Sequence, residues 1–492
     1  MGEIMKIKEL LIREKDNNKT ALIFEKDEIS YAQWYNMSSM KTELYKNIFD
    51  GKYDSVAIFL PNSIYYAIAY FSISFCDKTI VPIDIKSKSR ELILNLDYCD
   101  IKVLLTNDKY FDLAINYLKN YKKKIAIVSI ESDKVIVLNN EDESEYERNL
   151  ELEDVAIMLH TSGTTSNPKR VMLTHKNLIS NIESNIKSLN LTENDITCIA
   201  LPMYFGYCNT AQFLTHTYMG ATMYILDKIF LPKKFFSIVE KYKITNFTAV
   251  PTMLIMMLDY RYAEKYNLDS LRYICFGGGN MPINKLKILM EKYKSVGFVQ
   301  TYGQTECSPR ITALLPKYAK KKIGSVGKCI PDVRIKIVDD NNKEIKDNSI
   351  GEIIVNGENI MKGYFKCQDV TNNTIIDGWL HTGDIGYLDK DGFLYLKGRK
   401  KNIIISGGIN IYPEEIEEIL MSYDKISEVL VYGEENEILG EEVRANIVVN
   451  DNINLCDLKE FCKTKLSDYK IPKEIYIVES LDKTYNNKIK RI

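Results

Sequence analysis

The chain has ten cysteines but no Cys-x-x-Cys pair, and their scatter offers no metal-ligand spacing. A disulfide or zinc scaffold is excluded, which leaves a reduced, cytoplasmic protein as the expectation. No apolar run is long enough to span a bilayer; the longest, Tyr65 to Cys76, is expected as a core helix. The start, Met1-Gly-Glu-Ile-Met-Lys-Ile-Lys8, lacks the apolar core of a signal peptide, and Lys6 stands where myristoylation wants Ser or Thr. An excess of either charge is also missing. Lys+Arg 65 against Asp+Glu 67 leaves −2, so no global field draws the chain to nucleic acid or to a membrane. Nor is there a Ser/His/Asp or Cys/His set for nucleophilic catalysis, an internal repeat or a low-complexity tract. What remains is an ordinary globular composition, 45% hydrophobic and 27% charged.

What is present first is a rhythm. Ser55–Pro61, Thr79–Ile83, Lys102–Thr106 and Lys124–Ser129 read as buried strands, with a helix over Asn62–Phe75. After an acidic connection, Glu141 to Glu153, the strands resume at Ile196–Pro202, Ala221–Leu226, Asn246–Val250 and Leu271–Phe276. Strands separated by helices predict parallel-type sheets covered on both faces. From Gly324 to Leu396 the pattern changes to short strands and turns, as at Arg334–Val338, Glu352–Val355 and Gly392–Leu396. These suit a small antiparallel or barrel-like subdomain. Beyond Gly398-Arg-Lys-Lys401, helices at Pro413–Ser422 and Leu455–Lys465 mix with strands at Glu428–Val431 and Ala445–Val449. The expected fold class is α/β. A large N-terminal domain, 1–398 with a β-rich part at 324–396, is hinged near Lys401 to a small α+β domain, 399–492.

The stretch His160 to Thr174 packs hydroxyl side chains, a glycine and a lysine together: Thr161, Ser162, Gly163, Thr164, Thr165 and Lys169. Such a loop can turn backbone N–H groups and hydroxyls onto one anion while Lys169 adds positive charge, so a polyphosphate is the natural guest. It is not a Walker A loop, since no Gly-Lys-Ser/Thr follows a four-residue spacer. A flexible, hydroxyl-rich surface loop is the alternative.

Downstream come Tyr302-Gly-Gln-Thr-Glu306, Trp379-Leu-His-Thr-Gly-Asp384, Gly398-Arg-Lys-Lys401 and Lys483-Thr-Tyr-Asn-Asn-Lys488. With the hydroxyl-rich loop, and in this order, they resemble the signature set of the adenylate-forming superfamily. That superfamily comprises acyl- and aryl-CoA synthetases, stand-alone adenylation enzymes of peptide assembly lines, and luciferases. The resemblance runs from about Ile29 to the C-terminus.

The resemblance implies roles. Gly278 and Gly279, in Phe276-Gly-Gly-Gly-Asn280, would wall the adenine, on which Tyr302 would stack. Thr305 would hydrogen-bond the α-phosphate, Glu306 would hold Mg²⁺, and Asp384 with Arg399 would take the ribose. Asp384 also reads as a turn-forming residue after Gly383. Lys488 matches the catalytic lysine and Lys401 the hinge, while Ser406, Gly407 and Gly408 would border a thiol tunnel and Asn410 would lie near the acyl-adenylate. Phe205, Gly206, Tyr207, Cys208, Thr252 and Thr301 are the pocket candidates. Gly206 stands where members activating α-amino acids carry Asp, so a small aryl or short acyl carboxylate is expected instead.

The sequence departs from the superfamily at four positions. Ser166 and Arg170 stand in place of glycines, Asp482 in place of proline and Asn487 in place of glycine. Arg170 is open to two readings, a phosphate contact or a solvent-facing side chain. The implied reaction is adenylation of a carboxylic acid by MgATP, then transfer of the acyl group to a thiol, coenzyme A. One alternative is loading of a carrier protein's phosphopantetheine; another is a nucleotide-binding remnant with little ligase activity.

Overall fold

Strands that are buried on both faces need cover on both, and the order of the elements provides it. The computed structural model describes residues 5–139, 146–160, 169–226, 229–346, 348–483 and 489–491. Ser55–Ile58, Thr79–Pro82, Val103–Thr106 and Ile125–Ser129 are buried at every position, the mark of parallel strands under helices. With Val155–His160 they form the parallel centre of an eight-stranded sheet. Antiparallel strands complete its edges, Arg170–Thr174 and Gly363–Tyr364 on one side and Val135–Leu138 on the other.

A second, nine-stranded sheet has six parallel strands in the order Gly297–Gly303, Tyr273–Phe276, Asn246–Ala249, Ile196–Ile199, Thr222–Ile225, Thr20–Phe24. Its antiparallel edges are Asp27–Ser30 on one side, and Arg310–Leu314 with Lys328–Cys329 on the other. The largest apolar cluster joins the facing surfaces of these two sheets. The helix Ile64–Phe75 runs through it, with ten buried residues and Ser63 capping it by accepting from Tyr66 N–H at 3.3 Å. The expected core helix is therefore found. No helix among the described residues is long and apolar enough to cross a membrane.

The β-rich stretch is a six-stranded antiparallel sheet with Val333–Val338, Gly351–Gly357, Trp379–Leu388 and Leu394–Arg399 at its centre. The last of these starts later than the sequence reading places it. Asp389 accepts from the N–H of Asp391 and of Phe393, and Gly392 takes a φ of 77°, so Gly392 and Phe393 belong to the turn.

The final sheet has five strands. Ile409–Ile411, Ile404–Ser406, Gly440–Val449 and Ile426–Asn436 pair antiparallel, and Glu474–Ile477 joins Gly440–Val449 in parallel. Helices Pro413–Met421 and Leu455–Lys463 pack on it around a separate apolar cluster, so this region buries a core of its own.

Candidate nucleotide and acyl site

Asp384 ties three distant stretches of sequence together. Its Oδ2 accepts from the Tyr302 hydroxyl at 2.6 Å and from the Gln304 amide at 2.6 Å, while Oδ1 meets Nε of Arg399 at 2.6 Å. Reading Asp384 as a turn residue is corrected here: it lies within the strand Trp379–Leu388, directly opposite Arg399. The local bend falls one residue earlier, where Gly383 adopts a φ of 67° and donates to Glu352 Oε1 at 3.2 Å. A carboxylate offers about four acceptor sites, and these contacts leave capacity on the Arg399 side. The Arg399 side chain is 46% exposed and Asp384 only 9%, so the acid is reached past the arginine. Burial, then the Asp384 charge, push the Tyr302 hydroxyl well above the ordinary phenol range, and it remains a donor.

A second group of residues lies where the strands Tyr273–Phe276 and Gly297–Gly303 run side by side. A Cβ on Gly277 would stand 2.5 Å from the Thr301 carbonyl oxygen, so only glycine fits that crossing. Gly278 has a φ of 78° with open space around it, and Gly279 lies over Pro251. Thr301 Oγ1 donates to the Phe276 carbonyl at 3.1 Å and lies 2.7 Å from the Tyr207 hydroxyl. Gly206 brings backbone against the Tyr302–Glu306 motif, since its Cβ would be 3.6 Å from Thr305 Oγ1 and 3.2 Å from Leu159 Cδ1.

Phe205 precedes the short helix Gly206–Cys208, which continues as a π-helical turn, Asn209–Leu214. The pocket set needs one correction. Cys208 packs in the core between the sheets, its Sγ 3.9 Å from Gln212 Oε1, and burial pushes its thiol far up. Thr252 is exposed on the helix Pro251–Asp259.

Glu306 follows Thr305 in a short 3₁₀ turn, and its Oε1 accepts from the Tyr364 hydroxyl at 2.8 Å. The Lys169 ammonium lies 5.6 Å from the Tyr364 ring centroid, so one tyrosine touches both charged residues. Sequence reasoning misses Tyr364, because a two-residue edge strand, Gly363–Tyr364, carries no periodic signal. Thr161, Ser162, Gly163, Thr164, Thr165 and Ser166 lie outside the described residues, as do Asn487 and Lys488.

Both readings of Arg170 are overturned. It is 1% exposed, and its guanidinium donates to the carbonyls of Pro82 and Met158 and to Asn95 Oδ1, at 3.2, 3.4 and 2.6 Å. The charge is spent on two strand carbonyls and a helix asparagine rather than on a phosphate or on solvent. His160, paired with Arg170, is lowered to about 4 by burial and then by that charge.

Two family models match the chain, AMP-binding enzyme over residues 12–365 and AMP-binding enzyme C-terminal domain over 415–488, with Asp384 and Arg399 in the stretch between them. The chain belongs to the AMP-binding enzymes. Its relatives include a 2-succinylbenzoate–CoA ligase of Bacillus subtilis (strain 168), 31% identical over 477 residues, with 96% of this chain and 94% of the ligase covered. Another, from Listeria innocua serovar 6a, is 34% identical over 402 residues, with 82% and 80% covered. Among solved structures, the Bacillus subtilis o-succinylbenzoate CoA synthetase in complex with the acyl-adenylate intermediate OSB-AMP superposes with a TM-score of 0.87. Its identity is 29%, with 98% of this chain and 96% of that one covered. The same synthetase with ATP and magnesium ion gives a TM-score of 0.86 at 29% identity, with 98% of each chain covered. This AMP-binding enzyme is an AMP-forming acid–thiol ligase of the acyl-CoA synthetase kind.

The family implies Mg²⁺, and the residues present fit it. Glu306 offers a hard carboxylate oxygen beside the Thr305 hydroxyl, within a network that holds its other end on Tyr364. Among the described residues no group of three or more His, Cys, Asp or Glu converges. A cation at Glu306 would complete its shell with phosphate oxygens and water, as Mg²⁺ commonly does.

At the start of its final sheet the AMP-binding enzyme is pinned from both sides. Lys400 pairs with Glu352 at 3.2 Å and with Asp340 at 3.3 Å, whereas Asn402 donates to Glu414 at 3.3 Å. Lys401, between them, is exposed. Ser406 ends a strand, and Gly407 and Gly408, at φ 58° and 80°, make the turn to the strand bearing exposed Asn410. Lys483 and Ile489 bridge antiparallel, and Arg491 is fixed on Glu417 at 2.6 Å.

Proposed function

We propose that this enzyme activates a small aryl carboxylic acid of the 2-succinylbenzoate type and transfers it to coenzyme A. The observation that carries this reading is the contact between Gly206 and Thr305. Gly206 lies in ordinary contact distance of the Thr305 hydroxyl and close to Leu159, and it presents bare backbone there, with no carboxylate to hold an α-ammonium group. The carboxyl end of a neutral-backed acid fits against that glycine, next to the residue assigned to the α-phosphate. The relatives named above act on 2-succinylbenzoate, which supports the aryl class.

The acid's carboxylate attacks the α-phosphorus of ATP, giving an acyl-adenylate and pyrophosphate. The coenzyme A thiol then attacks the acyl carbon and releases AMP. Charge builds on the α-phosphate during the first step, and Lys169 and Lys488 would supply the opposing charge there. Thr305 would donate to an α-phosphate oxygen, and Glu306 would hold Mg²⁺, which supplies further positive charge when bound. Asp384 and Arg399 would orient the ribose, and Tyr302 with Gly278 and Gly279 would enclose the adenine. Phe205, Gly206, Tyr207, Thr252 and Thr301 would line the acyl group.

In this reading the domains are 1–398 and 399–492, with the hinge at Lys401. The second conformation brings Ser406, Gly407 and Gly408 to the thiol channel. Ten cysteines free of disulfides support a reducing, cytoplasmic setting.

The test is pyrophosphate release with MgATP across a panel of aryl, short acyl and α-amino acids, with and without coenzyme A. Release with aryl acids and an acyl-CoA product is the expected result. Release with α-amino acids alone sinks the substrate reading. Release that is indifferent to coenzyme A moves the acceptor to a carrier protein's phosphopantetheine.

A further inference from the structure

Arg310 opens the strand Arg310–Leu314 and is 2% exposed. Its backbone is satisfied by Asn181, whose Nδ2 donates to the Arg310 carbonyl at 2.8 Å and whose Oδ1 accepts from its N–H at 3.4 Å. The side chain is different. Nε and Nη1 are buried without a protein partner, and among the described residues no carboxylate pairs with Arg310. Arg170, equally buried, spends its guanidinium on three acceptors. A guanidinium cannot shed its proton, and a buried charge without an opposite partner is strongly unfavourable.

The surroundings of Arg310 say where its missing partner would come from. Its charge, and with it hydrogen bonding from the guanidinium, bears on the Tyr207 hydroxyl and the Cys275 thiol, opposing the effect of burial on each; both partners are neutral. It also bears on Tyr273, whose hydroxyl is likewise buried without a partner. Tyr207 sits 2.7 Å from Thr301 Oγ1 and follows Gly206, the residue that abuts Thr305. The acyl pocket thus runs from Thr305 past Gly206 and Tyr207 towards a cation and a free phenol.

Resting on the ligase reading above, we propose that Arg310 anchors a second anionic group of the acid substrate, so that the enzyme selects diacids. One carboxyl would be activated beside Thr305, and the other would be received by Arg310 Nε and Nη1 with the Tyr273 hydroxyl. A guanidinium edge matches a carboxylate in two parallel hydrogen bonds, which gives direction as well as charge. 2-Succinylbenzoate carries two carboxyl groups and meets this requirement, as does any diacid of similar reach.

The experiment compares kcat/KM for pyrophosphate release in the full-length enzyme with MgATP. The acids are 2-succinylbenzoate, the two monoacids made by replacing either carboxyl with hydrogen, and other aryl and short aliphatic diacids. The wild type should favour a diacid over its monoacids by about 100-fold, the scale of a buried charge pair. Arg310→Met should collapse that ratio, with most of the change in KM, while Arg310→Lys should keep part of it. ATP affinity measured by calorimetry checks that the variants are folded. The wild-type ratio needs no variant, so misfolding of Arg310→Met leaves the test standing. Equal use of diacids and monoacids by the wild type overturns the Arg310 assignment and leaves the ligase reading intact. So does an Arg310→Met ratio that matches the wild type. Refusal of 2-succinylbenzoate with Arg310-dependent use of another diacid sustains the assignment and removes only that acid.

Discussion

Asp384 and Arg399 face each other across two antiparallel strands, Oδ1 and Nε 2.6 Å apart, and the same carboxylate holds Tyr302 and Gln304. One buried acid therefore fixes Tyr302 and the last residue of the strand Leu394–Arg399 at once. Asp384→Asn keeps the shape but removes the charge that Arg399 and Tyr302 answer. It should cost about 1–3 kcal/mol of stability and raise KM for ATP roughly tenfold, one decade for every 1.4 kcal/mol of lost ground-state binding. Urea denaturation and ATP saturation curves check both, and an unchanged KM would remove Asp384 from the ribose site.

Tyr364 connects Glu306 to Lys169. Tyr364→Phe removes one charge-assisted hydrogen bond and leaves the ring in place. The Mg²⁺ concentration giving half-maximal pyrophosphate release should rise about tenfold, the equivalent of roughly 1.5 kcal/mol. Glu306→Gln should shift it further. A Mg²⁺ titration identical to wild type in both variants would detach Glu306 from the metal.

Gly277 and Gly278 of the glycine triplet should respond differently. Gly277→Ala drives a methyl to 2.5 Å from the Thr301 carbonyl oxygen, which is backbone and cannot turn away. The expected loss is about 1–3 kcal/mol, with a lower Tm. Gly278→Ala meets open space and bears only the strain of its φ of 78°, about 1–2 kcal/mol. If Gly278→Ala proves the more damaging to stability, the packing account of this triplet is wrong.

His160 and His175 are both lowered to about 4, chiefly by burial. The unfolded chain, with ordinary imidazoles near pH 6.5, binds more protons than the folded one between pH 4 and 6.5. Stability conferred by neutral His160 and His175 is thus complete above about pH 6.5 and declines as pH falls, by up to roughly 1.4 kcal/mol per pH unit for each. Urea midpoints measured from pH 7 to 5 should fall, and His160→Gln should flatten the slope. A slope unaltered by His160→Gln would place the titration elsewhere.

Lys488→Ala should lower adenylation by about 100-fold or more, the scale of losing a transition-state donor, while ATP binding by calorimetry persists. Turnover equal to wild type would remove Lys488 from the reaction.

The buried parallel strands are legible because a run such as Val56–Leu60 is apolar at every position and ends at a proline. The motifs are legible in order, and the structure gathers Tyr302, Asp384 and Arg399 at one carboxylate. What escapes is which way a side chain turns once two sheets face each other. Cys208 belongs to the core and Arg170 to buried carbonyls of the neighbouring strands and Asn95, and nothing local to either residue encodes that. Asp384 reads as a turn because Gly383 precedes it, whereas its strand is fixed by partners distant in sequence. Tyr364 and Arg310 matter through neighbours that arrive only with the fold.

Lys400 is held by Glu352 and Asp340, and Asn402 by Glu414. If Lys401 is the pivot, its arc is confined to the dihedrals of a single residue. The small domain would then turn like a tap on its seat, not swing out on a tether. A substitution that frees Lys400 would lengthen that axle, and the cost would be wandering between the two half-reactions rather than loss of either one.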